Sequence, residues 1–400
     1  MRVAIFSDTF PPQVNGVAHT AYLSAKNLVE AGHEVAVFTV SKKLKDRPDI
    51  NLKNLQVFRL PSMPALVYPG ERFTLPIGIT LRQVKKFGPD IIHAHTPFSV
   101  GWEAVLVSKI LKVPLVGTHH TFYNHYLKHI KLDFEWMKKV SWKFTIGFYN
   151  RCDLILSPSK SLADELVREG LKCPIRVLQN SINANLFKPA EDPSAKEAAK
   201  KSFGVKNCSV CYMGRLSYEK SIEQVVQAFA LINKKMPELN LMLIGDGPER
   251  KNLEELAKNL QVSESIIFTG SLLYNDDLAR GLQANDLFVS ASKSENMPLS
   301  VLEAMACGLP MVLVREKGLA ELVKENINGV FAKTDDPANI AEKIMSLLSQ
   351  PELLGKLGQG SRLLATEYSN EKVTDLLVKS YEKVIEEYSA QENLKKIDTH

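Results

Sequence analysis

Short apolar segments alternate with helical patterns of apolar and polar residues along both halves of the chain. Such segments are typical of strands in a parallel sheet whose two faces are both covered by helices. The alternation forms two series, so we expect an α/β protein with two doubly wound, Rossmann-like domains. The predicted strands are residues 3–6, 35–40, 57–60, 91–94, 115–117, 154–156 and 175–178 in the first series, and 210–213, 239–244, 266–268, 287–290, 311–314 and 330–332 in the second.

A polar segment with two prolines separates the two series, and it predicts a linker at residues 188–200. Ligands of doubly wound sheets bind beyond the carboxyl ends of the strands, so we expect the two domains to face each other across a central cleft. The resulting division is a first domain at 1–187, a second at 201–370, a long amphipathic helix at 371–390 and a polar, frayed tail at 391–400.

Composition narrows the class of protein. The chain has 400 residues and a net charge of +5, but residues 1–188 carry +11 and the remainder −6. A basic first half favours an anionic partner such as a membrane surface. No apolar run is long enough to span a bilayer, and the first residues are typical of a strand and not of a signal peptide. Five cysteines form no disulfide framework, so we expect a cytoplasmic protein.

The segment 294–310 contains the most informative pattern in the second half. Apolar residues recur at helical spacing from Leu299, and Pro298 suits a first helical position. Glu295 precedes this helix and Glu303 lies in its second turn, both off the apolar face. Because a helix N-terminus attracts anions, two carboxylates beside it fit the phosphates and hydroxyls of a sugar nucleotide. The alternative is an amphipathic core helix with two solvated acids.

Two further turns that follow predicted strands have residues suited to binding a phosphate group. Arg215 and Lys220 follow the first strand of the second domain, where a guanidinium can bind a diphosphate bidentately and an ammonium as a point charge. Gly16 follows the first strand of the chain, where bare backbone can approach a phosphate ahead of a helix. A plain loop would have the same residues, and the dinucleotide fingerprint Gly-x-Gly-x-x-Gly does not occur there.

Four histidines lie at the ends of two neighbouring predicted strands: His93, His95, His119 and His120. A zinc site is one interpretation, but no acidic or cysteine ligand accompanies them at a fixed spacing. Residues at strand ends line the ligand cleft of a parallel sheet, so the pattern favours a polar catalytic role.

Apolar residues, many of them aromatic, recur three or four apart between residues 123 and 151, with lysines and two tryptophans between them. This pattern fits a helix in a membrane interface, with its apolar face among acyl chains and its lysines on anionic headgroups. A core-facing helix with lysines that extend to solvent is the alternative. A nucleic-acid surface is not favoured, because no recognised binding module is present. The candidate acceptor or membrane residues are the strand-end residue His119 and, in this segment, Tyr126, Lys128, Lys131, Trp136, Lys138, Lys139, Trp142 and Lys143.

The spacing of Glu295 and Glu303 resembles the Glu-x7-Glu signature of the retaining glycosyltransferases of family 4, whose two Rossmann-like domains form the GT-B fold. The resemblance implies that Glu303 binds the ribose of the nucleotide and that Glu295 faces the donor sugar. Many members have Phe-Gly after the first glutamate, where this chain has Asn296 and Met297. The resemblance implies that these two residues, together with Pro298 and Leu299, contact the sugar and the diphosphate.

Other parts of the signature stand in the same order along nearly the whole chain. Arg215 and Lys220 match the Gly-Arg-x4-Lys motif that neutralises the leaving diphosphate, and Gly16 resembles the glycine of the loop that contacts it. His120 matches a histidine beside the reacting sugar. His119 stands where many members have Phe, which leaves open which of the two histidines contacts the sugar.

In the first half, the segments 95–101 and 117–121 look most like those of bacterial 1,2-diacylglycerol 3-alpha-glucosyltransferases. This resemblance implies a retaining hexosyltransferase that moves glucose from UDP-glucose, as substrate, to a membrane lipid acceptor such as diacylglycerol. No cofactor and no metal site are expected, and the chain contains no Asp-x-Asp, the metal-diphosphate motif of the other main transferase fold. We expect peripheral attachment to the inner face of the cell membrane. The alternatives are a soluble sugar or sugar-phosphate acceptor and a non-catalytic protein that binds sugar nucleotides.

Overall fold

The structure, a computed structural model, describes residues 1–13, 15–41, 52–64, 72–120 and 134–397, with side chains as far as residue 394. The chain forms two compact units. The first contains Met1–Ser181 and Glu371–His400, and the second contains Ile182–Asn370. Each is a mixed α/β unit built on a parallel sheet, as the alternating pattern predicts.

The first unit has a seven-stranded parallel sheet in the order β3-β2-β1-β6-β7-β8-β9. Its central strands are buried on both faces, which explains why they read as continuous apolar runs. A separate antiparallel pair, β4 with β5, has two residues in each strand. The strands are β1 (Arg2–Ser7), β2 (Glu34–Val40), β3 (Leu55–Leu60), β4 (Met63–Pro64), β5 (Arg72–Phe73), β6 (Ile91–Ala94), β7 (Leu115–Thr118), β8 (Leu154–Ser157) and β9 (Ile175–Val177).

Helices connect these strands and cover the sheet. Side-chain caps fix two of the helix starts: Asn15 accepts from the Ala18 N–H at 2.8 Å, and Ser159 accepts from the Leu162 N–H at 3.2 Å. The helices described here are α1 (Gly16–Glu30), α2 (Leu81–Phe87), α3 (Ser99–Leu111), α4 (Glu135–Tyr149) and α5 (Lys160–Arg168).

The second unit has a six-stranded parallel sheet in the order β12-β11-β10-β13-β14-β15. Its strands are β10 (Cys208–Met213), β11 (Leu239–Ile244), β12 (Ile266–Gly270), β13 (Leu287–Ser290), β14 (Met311–Val314) and β15 (Gly329–Ala332). Its helices are α6 (Pro193–Phe203), α7 (Ile222–Asn233), α8 (Arg250–Asn259), α9 (Asp276–Gln283), α10 (Leu299–Ala306), α11 (Leu319–Leu322), α12 (Pro337–Leu348) and α13 (Pro351–Ala365), with 3-10 turns at Tyr218–Lys220, Ser263–Ser265 and Thr366–Tyr368.

The predicted linker at 188–200 differs from the structure. Most of it forms α6, which begins after Asp192, whose side chain accepts from the Ala195 N–H at 2.8 Å. Lys200, near the end of this helix, donates to the Asn207 carbonyl at 2.5 Å. Phe187 is fully buried in the core of the second unit. The two prolines of this segment therefore do not mark a linker, since one of them opens a helix at its first position.

The C-terminal helix α14 (Asn370–Ile397) packs within the first unit from Glu371 onwards. The Tyr381 hydroxyl is fully buried and lies 2.6 Å from Nδ1 of His93. Arg176 donates to the Ser380 hydroxyl at 2.7 Å. The helix continues through most of the tail that was predicted to be frayed, because residues 390–397 contain good helix formers and neither glycine nor proline.

Candidate functional site

Two loops at the carboxyl ends of neighbouring strands of the second unit lie against each other. One follows β10 and contains Arg215 and Lys220, and the other follows β13 and contains Glu295. The Glu219 carbonyl accepts hydrogen bonds from the hydroxyls of Ser292 at 3.4 Å and Ser294 at 3.2 Å. This backbone position ties the two loops together, so the charged side chains on them lie at one edge of the sheet.

Lys220 and Glu295 form an ion pair in which Nζ donates to Oε1 at 2.6 Å. The Lys220 side chain is 20% exposed and that of Glu295 17% exposed, so water screens the pair only partly. Arg215 is exposed at the end of β10 and has no ion pair among the residues that the structure describes. The site therefore has one paired and one accessible cation.

The Glu295 loop is held by a close approach of backbone. The Gly318 N–H donates to the Glu295 carbonyl at 3.2 Å, and a Cβ on Gly318 would lie 1.3 Å from the Asn296 carbonyl oxygen. Only glycine fits there. Asn296 and Met297 are buried, Pro298 is the N-cap position, and Leu299 is the first residue of α10.

Glu303 lies in the second turn of α10, as predicted, but it is not on a solvated face. It is only 4% exposed, and burial raises the pKa of its carboxyl to about 8. The Tyr274 hydroxyl hydrogen-bonds to this carboxyl and opposes the rise. Helix α10 also packs against α13, and most of its residues are buried. Glu303 and Glu295 therefore occupy different environments.

Gly16 is the first residue of α1, directly after the capping residue Asn15. Apart from its chain neighbours and the backbone of its own helix, no atom of the described residues lies within 4 Å of the place where a Cβ on Gly16 would stand. Among these residues the glycine side of the helix start is open, which is compatible with the predicted approach of a ligand to bare backbone.

The four strand-end histidines of the first unit are all buried and lie close together. His95 Nδ1 is 3.0 Å from His120 Nε2, and the rings of His93 and His95 pack with centroids 4.2 Å apart. Burial lowers the pKa of His120 to about 4 and that of His93 to about 3, so both are neutral at physiological pH. Within the described residues no group of three His, Cys, Asp or Glu side chains is arranged to hold a metal ion.

His119 differs from His120 in its surroundings. Its Nδ1 lies 3.1 Å from the Tyr149 hydroxyl, and its ring packs near Trp142 with centroids 6.4 Å apart. His119 is completely buried, whereas His120 is 9% exposed. His119 is therefore a core residue and does not line an acceptor surface, so His120 is the better candidate for contact with a sugar.

Helix α4 divides the predicted membrane residues into two groups. Trp136 is 63% exposed, and Val140 and Phe144 follow it on the same face, with Lys139 and Lys143 exposed beside them. We call these five residues the aromatic-lysine face.

The other predicted membrane residues do not belong to this face. Lys138 donates to Glu135 at 2.8 Å. Trp142, predicted to contact lipid, is only 8% exposed, because its position in the helical repeat points it towards the core near His119. Tyr126, Lys128 and Lys131 lie outside the described residues.

Comparison with known proteins decides the family. The model described as Glycosyltransferase Family 4 matches residues 14–186, and that described as Glycosyl transferases group 1 matches residues 194–364. An alpha-monoglucosyldiacylglycerol synthase of Streptococcus pneumoniae is 32% identical over 337 residues, 83% of this chain and 75% of that protein. The chain belongs to glycosyltransferase family 4.

Another relative agrees with this assignment, and a solved structure shows the same fold. An alpha-monoglucosyldiacylglycerol synthase of Acholeplasma laidlawii is 28% identical to this chain, over 93% of this chain and 94% of that protein. The crystal structure of Anabaena HepE in complex with UDP superposes with a TM-score of 0.78 at 18% identity, over 96% of this chain and 100% of that one. The fold class predicted from the sequence, with two Rossmann-like domains, is confirmed.

Sequence reasoning missed two parts of the candidate site. Tyr274, which bonds Glu303, stands 29 positions before it and has no pattern that connects the two. Gly318 follows β14, and its place after a predicted strand was the only available signal.

No helix within the described part of the chain is long and apolar enough to span a bilayer.

Proposed function

We propose that this glycosyltransferase moves glucose from UDP-glucose to diacylglycerol, with retention of configuration, while it is attached peripherally to an anionic membrane at the inner face of the cell membrane. The observation that carries the proposal is the ion pair of Lys220 and Glu295 at the strand ends of the second unit, with Glu303 in the helix that follows. A cation for the diphosphate and two carboxylates for sugar and ribose hydroxyls are the groups that a sugar nucleotide requires.

The donor part of the proposal assigns one role to each charge. Arg215 and Lys220 hold the diphosphate, Glu295 faces the hexose and Glu303 accepts the ribose hydroxyls. Negative charge develops on the diphosphate as the glycosidic bond breaks, and two fixed cations stabilise it without reorganisation of solvent. The acceptor hydroxyl attacks the same face of the sugar that the diphosphate leaves, and the departing phosphate oxygen takes the proton. No protein nucleophile and no metal ion are then required.

The names of the relatives support the choice of acceptor. The bacterial proteins that match over most of this chain are named for alpha-monoglucosyldiacylglycerol, and an Arabidopsis relative, 27% identical over 92% of this chain, is named sulfoquinovosyl transferase SQD2. The neighbour HepE has been solved with UDP and with UDP-glucose, which makes UDP-glucose the first donor to test. Other relatives are named GDP-mannose-dependent alpha-mannosyltransferases, so GDP-mannose is the natural competing donor.

The aromatic-lysine face supports a lipid-bound acceptor. Trp136, Val140 and Phe144 recur every fourth residue and are each about half exposed or more. A row of exposed large apolar side chains is unfavourable in water, and an acyl-chain boundary would cover it. Lys139 and Lys143 stand beside this row, where anionic headgroups would contact them.

The test is transfer by the full chain from UDP-glucose to diacylglycerol in vesicles that contain anionic lipid. We expect a glucosyl-lipid with the α configuration by NMR, no requirement for added divalent cation in the presence of chelator, and little transfer from GDP-mannose. A β-linked product would overturn retention. Transfer to free sugars or sugar phosphates without any lipid product would overturn the acceptor. Binding of UDP-glucose with neither transfer nor hydrolysis would show a non-catalytic protein.

A further inference from the structure

The ring of His95 is hydrogen-bonded to the ring of His120. Nδ1 of His95 lies 3.0 Å from Nε2 of His120, and the two rings are nearly parallel, with an interplanar angle of 10°. His95 is the residue directly after β6, and its backbone N–H donates to the Phe6 carbonyl at 2.8 Å. His120 follows β7, the neighbouring strand. The contact therefore joins the ends of two adjacent strands of the first sheet.

One nitrogen of this pair must donate and the other must accept. Burial lowers the pKa values of both histidines below the physiological range, so each ring carries a single proton. Nε2 of His95 is buried and has no hydrogen-bond partner among the described residues. A buried N–H without an acceptor is rarer and more costly than an acceptor that is not used. The proton of His95 therefore resides on Nδ1, and His95 donates to His120.

Neighbouring residues hold the His95 ring in this orientation. Its face packs on the ring of His93, with centroids 4.2 Å apart. His93 is itself fixed at both nitrogens, by the Tyr381 hydroxyl at 2.6 Å and by the Thr118 hydroxyl at 2.6 Å. A ring that is packed and buried in this way keeps one rotamer.

We propose that His95 is a positioning residue that sets the tautomer of His120. Its Nδ1–H occupies the Nε2 lone pair of His120, so His120 carries its own proton on Nδ1. A part for His120 in the reaction is what the family resemblance implies and rests on the proposed function, whereas its tautomer does not.

The proposal limits what His120 can do in the reaction. With Nε2 occupied by His95 and the proton on Nδ1, His120 can act at Nδ1 only as a hydrogen-bond donor and has no lone pair left to take a proton. His120 thus serves as a hydrogen-bond donor and not as a general base. A transfer in which the departing phosphate takes the acceptor's proton needs no such base.

Two nearly isosteric substitutions separate hydrogen bonding from packing. In His95→Asn the amide nitrogen can stand close to the place of Nδ1 and donate to His120, whereas His95→Leu has a similar shape and no donor. We expect His95→Leu to lower kcat about tenfold to a hundredfold, the usual effect of losing an outer residue that fixes a histidine. The donor KM should change little. His95→Asn should keep kcat within about threefold of the wild type, and equal melting temperatures would show that both variants fold.

The tautomer itself is measured on the free protein, labelled with 15N-histidine, by two-dimensional NMR that correlates ring protons with ring nitrogens. His120→Gln identifies the His120 signals. The proposal requires the Nδ1–H form in the wild type and in His95→Asn, and a mixture with the Nε2–H form in His95→Leu. An Nε2–H form in the wild type, or an unchanged tautomer in His95→Leu, would overturn it even if the protein transferred no glucose. If His95→Leu kept the kcat of the wild type, the proposed effect of His95 on turnover would be wrong.

Discussion

The Lys220 ammonium donates to the Glu295 carboxylate at 2.6 Å, although the proposed function assigns these two groups to different parts of the donor. A diphosphate that takes the ammonium therefore competes with the carboxylate for it. The pair is mostly buried, so the competition is not removed by solvent screening. Binding of the nucleotide and the position of Glu295 are coupled through this one contact.

Glu295→Gln should separate binding from turnover. Removal of the negative charge frees Lys220 for the diphosphate, so affinity for UDP alone should rise, by up to about fivefold if the pair is worth about 1 kcal/mol. Turnover should fall, because Glu295 faces the sugar on which charge develops. Calorimetric titration with UDP and steady-state kinetics measure the two effects.

The matched control for this variant is Glu325→Gln, which also removes a glutamate from an ion pair of the second unit, that with Arg315. It should change neither UDP affinity nor turnover. Weaker UDP binding in Glu295→Gln would contradict the competition and would mean that the carboxylate itself supports the nucleotide.

Arg215→Ala should lower turnover by about a hundredfold or more, the usual loss when a fixed charge is removed from a closed site. The melting temperature should not change, because Arg215 is exposed and has no ion pair within the described part of the chain. Arg168→Ala removes another exposed arginine, at the end of α5, and serves as the control. Normal turnover in Arg215→Ala would remove this residue from the donor site.

The sheets could be predicted because their strands lie between two layers of helices. Segments such as 239–244 are buried along their whole length, so apolar content alone marked them. The segment 188–200 was misread, because the proline at position 193 was taken as a breaker. Its capping residue, Asp192, was the available signal for a helix.

Nucleotide binding should depend on pH through Glu303. Its pKa is raised to about 8 by burial, so the carboxyl is mostly neutral at pH 7. If the carboxylate accepts the ribose hydroxyls, binding must release a proton, and affinity should rise by up to about tenfold per pH unit below pH 8 and level off above it. Titration of UDP between pH 7 and 9, in buffers with different ionisation enthalpies, measures the proton released.

Two variants check this assignment. Glu303→Gln should release no proton, and Tyr274→Phe should move the transition to higher pH, because the Tyr274 hydroxyl stabilises the carboxylate. In the wild type the raised pKa also makes the free energy of unfolding fall as pH rises from the ordinary value of 4.5 through about 8, and Glu303→Gln should lack this slope. An affinity that does not vary with pH would show that Glu303 does not bind ribose as a carboxylate.

The sequence indicated which charged residues form the candidate site better than it indicated how deeply each one is buried. The spacing from Glu295 to Glu303 was visible, but the burial of Glu303 and its bond to Tyr274 are not visible in the sequence. Tyr274 reaches Glu303 through the fold of the sheet. The periodicity of a single helix describes one face of that helix and cannot show that a distant helix covers another.

The lysines of the aromatic-lysine face should control attachment to anionic vesicles. Each lysine near an anionic surface contributes about 1 kcal/mol, so Lys139→Ser with Lys143→Ser should weaken vesicle binding about thirtyfold at low salt. Lys234→Ser with Lys235→Ser removes two exposed lysines of the second unit and is the control. Transfer to a detergent-dispersed lipid acceptor should continue in both. Equal sedimentation of the two double variants with vesicles would contradict the proposed surface.

The two tryptophans of α4 should respond in opposite ways to the same substitution. Trp136 is 63% exposed, so Trp136→Ala should leave the melting temperature almost unchanged and should weaken vesicle binding, because the ring would insert among acyl chains. Trp142 is 8% exposed and packs near His119, so Trp142→Ala should lower the free energy of unfolding by about 3–5 kcal/mol. Vesicle sedimentation and thermal unfolding of both variants give the comparison. If Trp136→Ala binds anionic vesicles like the wild type, the exposed row does not enter the membrane, and a soluble acceptor becomes the better proposal.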